Sequence, residues 1–281
     1  MQTTTNVSRE IVLLEKHLPI RIFYGHDSKR SYIAPHFHED IELIGLKKGT
    51  LLITDQNNQL TLQKGDIHIF NSHTIHSTLS EDPTMEAVIL QISPSTLKNI
   101  FPDIAKYAFL SNLSAKDPLV TQLLAKMFTL LESTHAHNKF GYLHSYALIF
   151  ELLDTLFTNF SYEISTKEMK TKLKYHERMT QLTQYIQQNY HLPLSLDELS
   201  QVVHLNPSYL SRFFKKYFGM TFFDYLTSIR LDHAYHQLLE TELPIMDIYQ
   251  FCGFQTYHQF NQSFKKVYGQ TPSHLRKKAH E

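Results

Sequence analysis

The sequence predicts an α+β chain of two domains: a small β-barrel with trailing helices, then an all-α domain of two similar helix-turn-helix units joined by a long helix. Three observations predict it. Short β-rich runs between turn residues fill residues 20–92. The hydrophobic spacing then changes from strand to helix. Finally, two stretches about fifty positions apart repeat each other.

The strand signal comes first. Arg21-Ile22-Phe23-Tyr24, Leu51-Leu52-Ile53-Thr54 and Ile67-His68-Ile69-Phe70 are separated by turn signals such as Lys48-Gly49 and Lys64-Gly65-Asp66. Regular spacing of short strands suits a barrel or sandwich, whose closure protects strand edges. Leu119, Leu123, Leu124, Met127, Leu130 and Leu131 then follow helical spacing, as do Tyr146, Ile149, Phe150, Leu153, Leu156 and Phe157. These positions exceed one stripe: either all of them pack against the barrel, or the excess buries against a second subunit. The first domain is placed at residues 1–160. A polar, lysine-rich stretch, 161–174, reads as a linker, and 175–281 as the helical domain.

Lys+Arg and Asp+Glu both number 27, so bulk charge does not argue for a polyanionic partner, and basic groups must act locally. Cys252 is the one cysteine, which excludes an internal disulfide and fits a reducing, cytoplasmic setting. No apolar run is long enough to span a bilayer, and the polar opening Met1–Glu10 lacks a signal-peptide core.

In the repeat, Leu210, Phe214-Lys215-Lys216, Gly219 and Thr221 return as Phe260, Phe264-Lys265-Lys266, Gly269 and Thr271. Upstream, Leu196, Leu199 and Val203 match Ile245, Ile248 and Cys252. The unit is helix, tight turn, helix, the outline of a DNA reader, with the first copy at about 195–218 and the second at about 244–268. Ser195 with Glu198 predicts a capping box. Asn206-Pro207 starts the second helix, and Gly253 supplies the second unit's turn. Ser208, Ser211, Arg212 and Lys215 share an outward face, with Lys216 beside them. In the second copy Tyr257, His258, Asn261, Gln262 and Lys265 face out. Arg212 can donate twice to guanine, Gln262 suits adenine, and the lysines suit phosphate. Between the units Phe222, Tyr225, Leu226, Ile229, Ala234 and Leu238 predict one amphipathic helix that fixes the readers' spacing, which on one duplex face is ~34 Å.

The set Leu196-Asp197-Glu198-Leu199, Tyr209 to Lys216, Arg230-Leu231, Ala234, Leu238-Leu239 and Gly253-Phe254 through Gly269-Gln270-Thr271-Pro272 to Arg276 resembles the DNA-binding domain of AraC/XylS-type transcription regulators. The resemblance implies double-stranded DNA as partner, base contacts from Ser208, Ser211, Arg212, Tyr257, His258 and Gln262, a small-molecule effector, contact with RNA polymerase, and a homodimer. Three positions depart from the family pattern: Ser200 and Tyr249 stand for alanines, and Gln262 for a frequent arginine. This suggests a second reader that is weaker or differently specific.

In the first half, His36-Phe37-His38, Glu42, Gly49, Gly65-Asp66, Asn71 and His76 resemble the two motifs of cupin barrels. His36 and His38, two apart on a strand, point the same way. With Glu42 and His76 they line an effector pocket or hold a divalent ion such as Zn²⁺, Mn²⁺, Fe²⁺ or Ni²⁺, though no cofactor is required by the regulator reading. The alternative function is a metal-dependent cupin enzyme fused to a DNA-binding domain.

Overall fold

Period-two alternation builds the first domain. The structure, a computed structural model, describes residues 10–12, 20–26, 31–56, 58–134 and 141–279, so the opening segment Met1–Arg9 lies outside the described residues. Nine strands come first: β1 (Glu10–Val12), β2 (Ile20–His26), β3 (Ser31–His36), β4 (Ile41–Lys48), β5 (Leu51–Asp55), β6 (Asn58–Leu62), β7 (Ile67–Phe70), β8 (His76–Ser80) and β9 (Glu86–Ile92). A single turn, α1 (Pro94–Leu97), leads to β10 (Tyr107–Phe109) and β11 (Asn112–Leu113). All strand pairs are antiparallel. One sheet has the order β1-β2-β9-β4-β7-β11 and the facing one β3-β8-β5-β6, which together make a flattened barrel.

Strand β4 shows how each face is used. Ile41 and Leu43 point outward and join Ile69, Leu90 and Ile92 in a core covered by α2 (Pro118–Thr134) and α3 (Gly141–Phe160). Ile44 and Leu46 point inward and pack with Leu51, Ile53, Leu62, Phe70 and Met85 between the sheets. Beyond Glu42 the space between the sheets holds these apolar side chains. Glu42, on the same inward face, is left at the polar end.

The stretch 161–174 is a correction, for it is not a linker without structure. Ser161–Glu163 forms β12 against β10, and Thr166–Asn189 forms the helix α4. A reciprocal capping box nucleates α4, with Ser165 accepting from the Glu168 amide and Glu168 accepting from the Ser165 amide at 2.9 Å. Capping chemistry outweighed the polar composition that reads as a spacer.

The rest is α5 (Leu196–Val202), α6 (Pro207–Tyr217), α7 (Phe222–Glu240), α8 (Ile245–Phe251), α9 (Tyr257–Tyr268) and α10 (Pro272–Ala279). Helix α7 is not the one-faced amphipathic rod expected. Its first half, Phe222 to Ile229, lies in the first unit's core, and Leu231, Ala234 and Leu238 lie in the second's. A helix shared by two cores is buried on more than one side. Two arginines tie it in: Arg230 donates to the carbonyls of Tyr190 and Leu192 at 2.7 Å each, and Arg276 donates to those of Leu238 and Leu243. Cys252 belongs to the second core. Burial pushes its thiol up to about 12, against the opposing pull of Arg230, so it is a protonated packing group.

The two domains touch. Ile75 and Phe37, from the barrel, join the first unit's core, and Tyr32 of β3 packs on the second's, its ring 6.0 Å from Tyr268. His73 stacks on His176 of α4 at 3.5 Å.

Candidate functional site

Two surfaces carry candidate chemistry. The first is the pair of reading helices. Asn206 caps α6 by accepting from the Tyr209 amide at 2.7 Å, with Pro207 in the first turn, and Thr256 caps α9 by accepting from Gln259 at 3.2 Å. Leu210 and Phe214 anchor α6 from behind, and Phe260 and Phe264 anchor α9. Phe213 is buried as well, against Tyr175 and Tyr217. On the outer face Ser208, Ser211, Arg212, Lys215 and Lys216 of α6 are exposed, as are His258, Gln262 and Lys265 of α9.

Tyr257 and Asn261 differ from expectation: both are half-buried. Tyr249 is the cause for the former. Too large for an alanine's place, it is buried with its ring 5.9 Å from Tyr257 and 6.2 Å from Phe260, so Tyr257 is drawn onto the core. Asn261 buries its Oδ1 without a protein donor. The predicted capping box at Ser195 is half present. Ser195 accepts from the Glu198 amide at 3.2 Å, but the Glu198 carboxylate accepts from the Tyr185 hydroxyl at 2.5 Å instead of returning to the cap.

The second surface is the polar end of the barrel, which brings His36, His38, Glu42 and His76 together. Three histidine ring nitrogens, one each from His36, His38 and His76, lie within 4.8 Å of one another. His36 sits opposite His76 in the β3–β8 pairing, with ring centroids 4.3 Å apart. His38 lies beyond the end of β3 yet turns its ring to 5.0 Å from His76. Glu42 reaches in from the opposite sheet, its Oε2 3.1 Å from His38 Nε2 and its Oε1 3.8 Å from His76 Nε2.

The backbone orients all three rings. Nδ1 of His36 is 2.9 Å from the Ala34 carbonyl, Nδ1 of His38 is 2.8 Å from that of Asp40, and Nδ1 of His76 is 2.8 Å from that of Thr74. A carbonyl only accepts, so each Nδ1 carries the proton and each Nε2 is the atom that can coordinate or be protonated. His76 Nε2 is buried without a hydrogen-bond partner. Burial, then the neighbouring His36, hold the His76 pKa down to about 3, so the ring is neutral. Burial also works against a charged His38, but the hydrogen bond and charge of Glu42 outweigh it and raise its pKa. Burial would raise Glu42, yet His38, His76 and the amide of Gln91, donating at 2.6 Å, bring it down to about 2. A buried carboxylate beside three imidazoles whose Nδ1 atoms are committed is a donor set that fits a divalent metal ion, once His38 gives up the proton it shares with Glu42.

Comparison with known proteins follows the same division. The AraC-like ligand binding domain family matches residues 17–153, and the helix-turn-helix domain family matches residues 199–278. The chain belongs to the AraC-type transcription regulators. An uncharacterised HTH-type transcriptional regulator of Staphylococcus aureus strain COL is 28% identical over 230 residues, 82% of this chain and 30% of that protein. YtdP of Bacillus subtilis, another uncharacterised HTH-type transcriptional regulator, is 40% identical over 83 residues, 30% of this chain and 11% of its own. The chain thus spans 30% or less of the length of these two curated relatives. ToxT from Vibrio cholerae aligns over 92% of this chain and 97% of its own with a TM-score of 0.52 and 14% identity, a likeness of fold alone. A ToxT structure with an unsaturated fatty acid bound aligns over 92% and 94% with a TM-score of 0.50, also at 14% identity.

Several residues of this AraC-type chain at or near the barrel site escaped the sequence reading. Phe70 stacks on His76 at 4.0 Å and meets His68 edge-on at 4.5 Å. His68 is wholly buried, with Nδ1 2.7 Å from Asn112 Oδ1 and Nε2 3.4 Å from Asp55 Oδ2; the latter is an ion-pair distance without hydrogen-bond geometry. The strand alternation of residues 67–70 signals that His68 and Phe70 share a face. Nothing in the sequence signals that Gln91 would be the donor to Glu42.

Proposed function

We propose that the chain is a sequence-specific, double-stranded DNA-binding transcription regulator whose barrel takes up a small effector at its polar end. The observation that carries this reading is the matched exposure of Ser208, Arg212 and Lys215 on α6 and of His258, Gln262 and Lys265 on α9, each set backed by buried aromatics in the same frame. An α-helix with hydrogen-bonding side chains on one face fits a major groove about 12 Å wide. Arg212 reads guanine, Gln262 adenine, and the lysines hold phosphate. The barrel acts as a sensor and not as a catalyst.

The solved complex of ToxT holds an unsaturated fatty acid. In this chain the packed side chains between the sheets favour a small ligand at the His36, His38, Glu42 and His76 end. The protein acts in the cytoplasm, where it meets DNA and RNA polymerase. Among the described residues no helix is long and apolar enough to cross a membrane.

A homodimer is part of this reading. Leu143 and Phe150, two turns apart on α3, are 55% and 45% exposed, and Tyr142 beside them is 44% exposed. Covering them with a second copy removes apolar surface from water and places four readers on the DNA. Sedimentation should give a dimer for the wild type and a monomer for Phe150→Glu.

Selection of bound duplexes from a random pool with the full chain tests the main reading. A recurrent two-part site with half-sites one helical turn apart is expected. Recovery of no preferred sequence overturns it.

A further inference from the structure

We propose that the basic side of α4, carried by Lys167, Lys170, Lys174 and Arg178, is a third DNA-contacting element. It lies along the sugar-phosphate backbone beside the groove read by α6. This rests on the regulator reading and enlarges its DNA surface from two helices to three.

Helical spacing divides α4 into two sides. Tyr175, Met179, Leu182 and Ile186, spaced by four, three and four, turn inward. The last three are buried in the first unit's core and Tyr175 packs against it. At about 100° per residue, Lys167, Lys174 and Arg178 fall within about 40° of one another, with Lys170 beside them, roughly a quarter turn from that apolar stripe. The three lysines are exposed and Arg178 is half-buried. From Thr166 to Arg178 five basic residues, Lys172 included, meet two acidic ones, Glu168 and Glu177. Glu168 is held at the Ser165 cap, and Glu177 lies at the outer edge of the stripe. A chain whose formal charges sum to zero thus gathers cations on one flank of its DNA-binding half.

The stripe adjoins the reading helix. The Tyr175 ring is 5.9 Å from that of Phe213 and 4.5 Å from that of Tyr217, both in the C-terminal half of α6. A hydrogen bond with Tyr217, then the charges of Lys216, Lys174 and Arg178, outweigh burial and lower the Tyr175 pKa. Cations of both helices therefore face one pair of hydroxyls, and Lys216 also lies over the Tyr217 ring at 5.2 Å. The stripe continues the basic end of α6, whose lysines suit phosphate. Lys167 to Arg178 spans roughly 16 Å of helix, and B-DNA carries a charge every ~1.7 Å of its axis, so several phosphates lie along that length. A helix anchored by its own core loses little freedom on binding, whereas a spacer of the same composition would have to be ordered first. An acidic protein surface is the other partner such a stripe could meet. Continuity with Lys215 and Lys216 favours the duplex.

The test uses the full chain and a duplex that it selects from a random pool, titrated at several salt concentrations. Lys167→Gln, Lys170→Gln and Lys174→Gln are combined, since all three side chains are exposed and glutamine forms helix about as well as lysine. This triple variant should bind at least about tenfold more weakly at low salt. Its slope of log Kd against log salt should fall by about 2 to 3, at ~0.9 for each lost phosphate contact. The loss should be equal on the selected duplex and on an unrelated one, because backbone contacts do not read bases. Hydroxyl-radical footprinting should show backbone protection flanking the α6 half-site, and the triple variant should lose it. Lys167→Arg, Lys170→Arg and Lys174→Arg together should keep both slope and protection. Lys64→Gln, Lys98→Gln and Lys116→Gln, exposed in the first domain, remove the same charge and should change the slope by less than about 0.5. An unchanged slope and footprint in the α4 variant, or an equal loss in the first-domain variant, overturns the proposal while the regulator reading stands. Weaker transcription with DNA binding intact would assign the stripe to an acidic protein surface and overturns it too. A wild-type chain that selects no duplex at any salt overturns the regulator reading, and the third contact with it.

Discussion

The two helix-turn-helix units keep one backbone frame and differ in what they place on it. In the first, the helix α5 ends with the Leu205 amide donating to the Ser200 carbonyl at 2.9 Å and His204 to Gln201 at 3.3 Å. In the second, α8 ends with Phe254 donating to Tyr249 at 3.0 Å and Gly253 to Gln250 at 2.9 Å. Each partner lies 49 positions from its counterpart, and the motif is a Schellman turn in both. The turn residue is left-handed in each copy, with φ of 51° at His204 and 82° at Gly253. Past the turn the offset is 50, and Gly219 and Gly269 again match, at 70° and 71°. Hydrogen bonds and buried aromatics hold the frame, so exposed positions such as Arg212 and Gln262 are free to diverge in chemistry.

If the frame is shared, its anchors should fail alike. Phe214→Ala and Phe264→Ala each remove a wholly buried ring and should each destabilise the helical domain by about 3–5 kcal/mol. Denaturant titration of the two variants checks this, and costs that differ by more than about 2 kcal/mol would break the equivalence. Gly253→Ala should come next, at a cost of at least about 2 kcal/mol. A side chain at φ 82° is strained, and its Cβ would sit 2.7 Å from the backbone oxygen of His191.

The readers should diverge where the frames do not. Arg212→Ala should weaken binding by about 1–3 kcal/mol, roughly ten- to a hundredfold, and Gln262→Ala by less, because a charged bidentate fork does more than an amide. Gel-shift titrations at one salt concentration test this ranking, and the reverse order refutes it.

The repeat was legible because its turn glycines, caps and buried aromatics recur at fixed spacing. The barrel site was legible in part because His36, His38, Glu42 and His76 keep a recognisable order. What escaped depends on contacts between distant segments. Glu198 fits a capping box by sequence, but Tyr185 of α4 takes its carboxylate. Residues 161–174 looked like a spacer until Ser165 and Glu168 closed a helix start. Tyr257 looked outward until Tyr249 gave it a ring to lie against. Docking of Tyr32, Phe37 and Ile75 on the helical half leaves no periodic trace, because each is a single residue on a segment whose pattern serves the barrel.

The smallest effect sharpens the comparison most. His204 holds a left-handed backbone with a side chain, where its counterpart is glycine. The strain of that conformation is about 1–2 kcal/mol for an ordinary residue. Glycine relieves it but loses about 0.5–1 kcal/mol through the greater freedom of the unfolded chain. His204 is exposed, so removing its ring forfeits little packing. His204→Gly should therefore stabilise the helical domain by about 0.5–1 kcal/mol, read as a higher denaturant midpoint at unchanged slope. Loss of stability in this variant would mean that the His204 side chain holds the first turn by a contact glycine cannot replace, and the two turns would then be alike in geometry but not in cause.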